Sequence, residues 1–177
     1  MSKIRLATVW LDGCSGCHMS LLDMDERLAA VLEKADIVYS PLVDIKEFPE
    51  NVDVTVVEGS VSSEDDLEKI HKIRKNSKIV ISLGDCAVTG NVPSMRDLVP
   101  MSELMDRVYF ENASENRQVP TKVVPKLLAR VRPVHEVVKV DLFVPGCPPS
   151  SDTIFNTILE LVEGRAPEAA MATRFGA

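Results

Sequence analysis

Four cysteines, and no others, lie in three short loops rich in glycine and proline. Cys14 and Cys17 share the first loop, Cys86 lies in the second and Cys147 lies in the third. Each loop follows an apolar run that is typical of a β-strand. Because the carboxyl ends of parallel strands meet at one edge of a sheet, we expect the four thiols to converge there. Four cysteine thiolates are the usual ligands of an iron–sulfur cluster, which is the chemistry that this pattern favours.

Zinc binding and thiol exchange are the alternative uses of these cysteines. A structural zinc site usually has two close pairs of cysteine or histidine, whereas this chain has one such pair, Cys14 and Cys17. A thioredoxin-like dithiol would use that pair at the start of a helix and would leave Cys86 and Cys147 without a role. Both alternatives explain fewer of the cysteines than a cluster does.

Length and composition indicate one globular domain that does not bind nucleic acid. The chain has 177 residues, 45% of them hydrophobic and 27% charged, and its net charge is −7. The amino terminus shows no secretory or twin-arginine signal, and no run is long and apolar enough to span a bilayer. We therefore expect a cytoplasmic protein without a membrane span, in which cysteines bind metal or catalyse more often than they form disulfides.

Strand and helix patterns alternate along the chain, which predicts an α/β fold. Strands are predicted at 4–10, 36–40, 52–58, 78–83 and 137–144, and helices at 18–35, 63–75 and 150–163. We expect a flavodoxin-like, doubly wound parallel sheet with helices on both faces. The expected domain is a single iron–sulfur flavodoxin-like unit over residues 1–177.

A proline-rich insertion is predicted between the fourth and fifth strands, at about 90–133. It contains several prolines and methionines and short helical pieces, such as 122–131. Two interpretations stay open, because a segment of this kind is either a surface loop or a contact with another subunit.

Three polar residues lie close to the predicted cysteine edge. Glu58 ends the third predicted strand, where its carboxylate is a candidate interface or proton-relay group, or simply caps local backbone amides. Asp85 precedes a cysteine and is either a turn-forming residue or a charge that lowers a cluster potential. His18 starts a predicted helix, where it either faces a cluster or partner or is a surface or capping residue. Trp10 is interpreted as core or interface packing.

The cysteine motifs resemble those of the small subunit of [NiFe]-hydrogenases and, more distantly, those of the cluster-bearing subunit of NADH:quinone oxidoreductase. The matching segments are 10–23 (WLDGCSGCHMSLLD), 57–61 (VEGSV), 84–87 (GDCA) and 145–149 (PGCPP). They occur in the same order as in that family and cover nearly the whole chain. The quinone-reductase relative has adjacent cysteines in its first motif, whereas Cys14 and Cys17 are separated here, as in hydrogenases.

The resemblance implies a role for the chain and a set of partners. The short form without a twin-arginine signal is most similar to the small subunits of cytoplasmic, NAD(P)-linked bidirectional hydrogenases. This resemblance implies one [4Fe–4S] cluster on Cys14, Cys17, Cys86 and Cys147. That cluster would relay electrons from the [NiFe] site of a large subunit to diaphorase subunits, which carry further clusters, a flavin and the NAD site. A hydrogenase linked to F420 or ferredoxin, or a quinone-reductase-like complex, is the alternative.

A flavin on this chain is a separate question, because flavodoxin-like folds bind FMN. In flavodoxins the loop after the first strand cradles the FMN phosphate. Here Cys14 and Cys17 occupy that loop, which argues against the standard FMN site and leaves only a nonstandard one open.

Overall fold

The computed structural model describes residues 3–167, so both ends of the expected 1–177 domain lie outside the described residues. At its centre is a five-stranded parallel sheet. The strands of the chain are β1 Ile4–Trp10, β2 Ala35–Tyr39, β3 Val52–Glu58, β4 Val61–Ser63, β5 Ser77–Leu83, β6 Leu127–Arg132 and β7 Leu142–Val144. The helices are α1 Gly16–Leu22, α2 Arg27–Lys34, α3 Glu64–Asn76, α4 Gly84–Thr89, α5 Asn91–Ser94, α6 Met101–Asp106 and α7 Ser151–Val162.

The order of the central strands is β2-β1-β3-β5-β7. Numbered within this sheet alone, that order is 2-1-3-4-5, the flavodoxin-like arrangement. Two buried apolar clusters cover the two faces, because successive side chains of a strand point to opposite sides. Val56 and Ile81 lie in the cluster beneath α1, α2 and α7, and Val57 and Val80 lie in the cluster beneath α3. The doubly wound α/β prediction is therefore confirmed.

The last central strand is much shorter than predicted. Only Leu142–Val144 pairs with β5, and Val134–Glu136 forms a 3-10 turn. Val134 and Val138 are buried in a core cluster, so their apolar pattern reflects packing onto the sheet and not strand pairing. Asp141 provides hydrogen-bond partners for both backbone groups of Val80. The Val80 amide donates to the Asp141 carboxylate at 2.9 Å, and the Asp141 amide donates to the Val80 carbonyl at 2.9 Å.

The predicted helix at 18–35 is two helices separated by a tight turn at 23–26. Asp25 has a φ of 50°, which ends the α-helical path. Met24 in this turn is only 1% exposed, and Leu21 and Val31 on either side belong to the same core cluster. The apolar spacing continues through the turn, so a helical period alone could not reveal the break.

The helix predicted at 122–131 is wrong, because that segment contains the strand β6. β6 pairs antiparallel with β4 in a separate two-stranded sheet. Pro125 lies inside the predicted helix, where it lacks the N–H that a helical hydrogen bond needs and its ring clashes with the preceding turn. The Arg96 guanidinium binds the carbonyls of Ser62 and Leu128, and the Asp97 carboxylate accepts the Val131 amide, so tertiary contacts hold the strand in place.

No helix within residues 3–167 is long and apolar enough to cross a membrane.

We expect Asp66→Ala to destabilise the fold by about 1–2 kcal/mol, because the Asp66 carboxylate would no longer accept the Ser63 amide in the capping box. Asp66 and Ser63 form a reciprocal capping box at the start of α3, with N–H to side-chain oxygen distances of 3.0 and 3.1 Å. The control Asp65→Ala removes an exposed first-turn charge without a cap and should cost only about 0.3–1 kcal/mol. Thermal unfolding of both variants at matched iron content measures the difference, and equal shifts would contradict the capping argument.

Candidate metal centre

The three cysteine loops meet at the carboxyl edge of the central sheet. Cys14 follows β1, Cys86 lies in the first turn of α4 directly after β5, and Cys147 follows β7. A Cβ atom placed on Gly13 would lie 3.9 Å from the Cys86 Cβ, so the first two loops are in contact. The structure thus brings together the elements that carry the cysteines, as the sequence predicts.

The second and third loops are joined by Asp85. The Asp85 amide donates to the Gly146 carbonyl at 2.9 Å, and the Asp85 carboxylate accepts the Gly146 amide at 2.7 Å. These two bonds join residues 61 positions apart, so Asp85 links two loops instead of forming the local turn that the sequence offered as one of its two roles. It fixes the backbone on either side of Cys86 relative to the backbone that carries Cys147.

Gly84 allows the closest approach between loops. Its φ is +79°, and a Cβ atom there would lie 2.2 Å from the Cys17 Sγ, which is inside van der Waals contact. Any side chain at this position would therefore displace the Cys17 thiol as well as strain the backbone. Gly84 thus leaves space that the cysteine sulfur uses.

The electrostatics of the thiols indicate that they lie near one another. Burial raises the pKa of Cys17 most, and the Glu58 charge and the other three cysteines raise it further. Burial also raises the pKa of Cys86 to about 11, with contributions from Cys147 and Cys14. A thiol-exchange site requires a lowered pKa at the attacking cysteine, so these directions oppose the dithiol alternative. They suit a metal centre, whose positive charge stabilises the thiolates.

The donor set at this edge has the chemistry of an iron–sulfur ligand set, because it consists of four cysteines. None of the four forms a disulfide. In a [4Fe–4S] cluster each thiolate binds a different iron, so the sulfurs surround a larger core.

Glu58 is buried inside this chain, with 2% of its surface exposed. Its carboxylate accepts the backbone amides of Cys17 at 3.2 Å and His18 at 3.0 Å, and it also contacts the His18 Nδ1. This is the backbone-capping geometry that the sequence left open beside the interface and proton roles. The carboxylate therefore fixes the start of α1 and with it the backbone of Cys17.

His18 lies in the protein interior, which corrects its interpretation as a surface residue. It is 3% exposed, and its Nε2 lies 3.1 Å from the Thr8 Oγ1. The Thr8 hydroxyl donates in turn to the Ser40 Oγ at 2.8 Å. Sequence reasoning did not identify Thr8 and Ser40 as residues of the site. The available signal was that Thr8 lies two residues after the core residue Leu6 on β1 and therefore on the same face of the sheet.

Trp10 is half-exposed, at 44%, so its interpretation as a core residue is wrong. Its indole Nε1 donates to the Gly13 carbonyl at 3.1 Å. The ring therefore covers the first cysteine loop and leaves part of its surface available at the same edge.

Residues 14–161 match the family described as NADH ubiquinone oxidoreductase, 20 kDa subunit. This range includes all four cysteines and Glu58. The match covers far more than half of the chain, so it extends over the fold as well as the candidate site.

The curated relatives include hydrogenase subunits from a bacterium and an archaeon. The chain is 44% identical over 168 residues to the delta subunit of the NAD-reducing hydrogenase HoxS of Cupriavidus necator, covering 92% of this chain and 80% of the relative. It is 29% identical over 184 residues to the iron–sulfur subunit of the F420-non-reducing hydrogenase of Archaeoglobus profundus, covering 93% of this chain. The chain spans 57% of the length of that archaeal relative.

A solved structure has nearly the same fold over nearly the same length. A chain of an NAD⁺-reducing [NiFe]-hydrogenase in the H₂-reduced state matches with a TM-score of 0.93 and 35% identity. The match covers 98% of this chain and 99% of that one. With its sequence matches, this likeness shows that the chain belongs to the NADH ubiquinone oxidoreductase 20 kDa subunit family, among its hydrogenase small subunits, which include iron–sulfur proteins.

Proposed function

We propose that this chain is the electron-transfer small subunit of a cytoplasmic, NAD-reducing [NiFe]-hydrogenase. The observation that carries the proposal is the meeting of three cysteine loops at one sheet edge, in a chain 44% identical to a subunit of an NAD-reducing hydrogenase. Cys14, Cys17, Cys86 and Cys147 would hold one [4Fe–4S] cluster. When bound, that group takes up and releases single electrons.

The protein part of this function is to hold the ligands and shape their surroundings. Glu58 anchors the amides of Cys17 and His18, and Asp85 ties the second loop to the third. Cys17 is buried and so shielded from water, whereas Cys14 and Cys147 are exposed. Because electron tunnelling falls steeply with distance, an exposed side is where a partner's redox centre would have to dock.

The partners follow from the same proposal. A large subunit would hold the [NiFe] site, and diaphorase subunits would hold the flavin, the further clusters and the NAD site. A hydrogenase with another acceptor is the second candidate, favoured by the similarity to a subunit of an F420-non-reducing hydrogenase. A quinone-reductase-like role is less well supported, because Cys14 and Cys17 are separated by two residues.

An apolar surface beside the cysteine edge is the proposed contact with the large subunit. Val92, Met95 and Leu98 follow α4 and are 60, 63 and 84% exposed. Met19, in the helix that carries Cys17, is 57% exposed. Clusters of exposed large apolar side chains are typical of protein contacts, and Val92, Met95 and Leu98 lie within seven consecutive residues. We therefore propose that the start of the 90–133 segment contacts a subunit, which is one of its two open interpretations.

Metal analysis of the native complex, purified without oxygen through a tag on this chain, tests the proposed function. We expect nickel together with a large excess of iron. Leu98→Asp should retain iron but lose nickel, because a charge in the apolar contact would release the large subunit. Iron without nickel in the unmodified complex would contradict the hydrogenase proposal, and zinc alone would contradict the cluster.

Cys86→Ala should abolish the EPR signal of the reduced cluster and the flow of electrons from H₂ to NAD. The thiolate would be missing from the ligand set, and alanine cannot replace it. Ser82→Ala is the matched control, since the Ser82 hydroxyl is buried on β5 without a hydrogen-bond partner. A full cluster in Cys86→Ala would show that the ligand assignment is wrong.

Glu58→Gln should lower the cluster content but leave H/D exchange activity per intact cluster unchanged. The two backbone amides bind different carboxylate oxygens, and glutamine replaces one of these oxygens with an NH₂ group that cannot accept. Loss of a hydrogen bond to a charged acceptor costs about 1.5–3 kcal/mol. Glu64→Gln, an exposed carboxylate on α3, controls for the loss of charge. Reduced exchange per intact cluster in Glu58→Gln would instead support the proton-relay role.

A further inference from the structure

A sharp turn between α4 and α5 lies directly against two of the cysteines. Gly90 has a φ of +88° and Asn91 a φ of +30°, so the chain reverses there. The Asn91 side-chain Nδ2 donates to the Cys147 Sγ at 3.4 Å. Burial raises the pKa of Cys86 most, and the backbone of the next residue, Val92, partly offsets that effect. The turn therefore donates to the Cys147 sulfur through a side chain.

We propose that Asn91 is a positioning residue that raises the reduction potential of the cluster through its hydrogen bond to the Cys147 sulfur. This inference rests on the proposed function, because it requires a cluster on the four cysteines. Reduction adds negative charge to the cluster and its sulfurs. An N–H group that points at sulfur stabilises the reduced form more than the oxidised form, so the donor raises the potential.

Asn91 is suited to this role by its conformation. Asparagine tolerates a positive φ better than other residues that carry a side chain, so the turn can hold it there at small cost. The donor is also a side chain, unlike the backbone amide of Gly16, which donates to the Cys14 Sγ at 3.4 Å. Substitution at position 91 therefore changes one sulfur contact without removing a backbone donor.

The position of the bond makes it effective. Cys147 is exposed on the isolated chain, where water also reaches its sulfur. Val92 and Met95 beside Asn91 are mostly exposed and belong to the proposed subunit contact. A subunit seated on them would exclude water, and a hydrogen bond is electrostatically stronger in such a medium. The Asn91 amide would then be a fixed donor to this sulfur in the assembled complex.

Asn91→Gly tests the proposal because it removes the donor and still permits a positive φ. Redox titration of the whole complex, followed by the EPR signal that Cys86→Ala abolishes, measures the midpoint potential. We expect the reduced-to-oxidised ratio at a fixed potential to fall about tenfold, a downward shift of about 59 mV for one electron. Asn51→Gly is the matched control, since Asn51 has a φ of 59° and precedes β3 at the opposite edge of the sheet.

Asn91→Asp separates the donor from other effects, because it keeps the shape, removes the donor and adds a negative charge. It should shift the potential downward further than Asn91→Gly does. A full cluster at unchanged potential in Asn91→Gly would overturn the proposal. This holds even if Asn91→Asp shifted the potential, since the added charge alone would then explain that shift. Loss of the cluster in both variants would also overturn the proposal, because Asn91 would then be required for cluster assembly and not for its potential. A native complex without an EPR-visible cluster would refute the proposed function itself.

Discussion

The candidate site depends on one buried carboxylate at the end of a central strand. Glu58 is held in the sheet by its pairing with Trp10 and Leu83, and its side chain accepts the amides of Cys17 and His18. A buried charge without partners is costly, whereas amides at the start of a helix compensate it. The helix start therefore has one favourable position relative to the sheet, and the cysteine it carries shares that position.

The loops that carry Cys86 and Cys147 are positioned by contacts with the loop of Cys17 and with each other. Gly84 can approach the Cys17 sulfur only because it has no side chain, and Asp85 beside it binds the loop of Cys147 through both its amide and its carboxylate. Each contact joins two loops that follow different strands. The sheet supplies the common edge, and these few polar contacts set the distances between the loops.

The sequence predicts those features that neighbouring residues determine, and it misses those that depend on residues far away in the chain. β1 and β3 have their predicted bounds, because a buried central strand is a continuous apolar run that ends at polar or glycine residues. The cysteine edge follows from those strands. β6 was missed because Arg96 and Asp97, far away in sequence, hold it as a strand. The burial of His18 and the contact of Asn91 with Cys147 depend on partners 40 and 56 residues away, which no local pattern records.

The charges at this edge link cluster binding to the stability of the fold. Burial and the Glu58 carboxylate disfavour the thiolate of Cys17, and burial and the neighbouring thiols disfavour that of Cys86. Iron binds thiolates, so its binding must release protons that the protein alone would retain. The positive charge of the irons then offsets the negative charge of the four thiolates and of Glu58, which would otherwise repel one another at this edge of the sheet. The same Glu58 that positions Cys17 therefore makes the site favour a cationic centre over free thiolates.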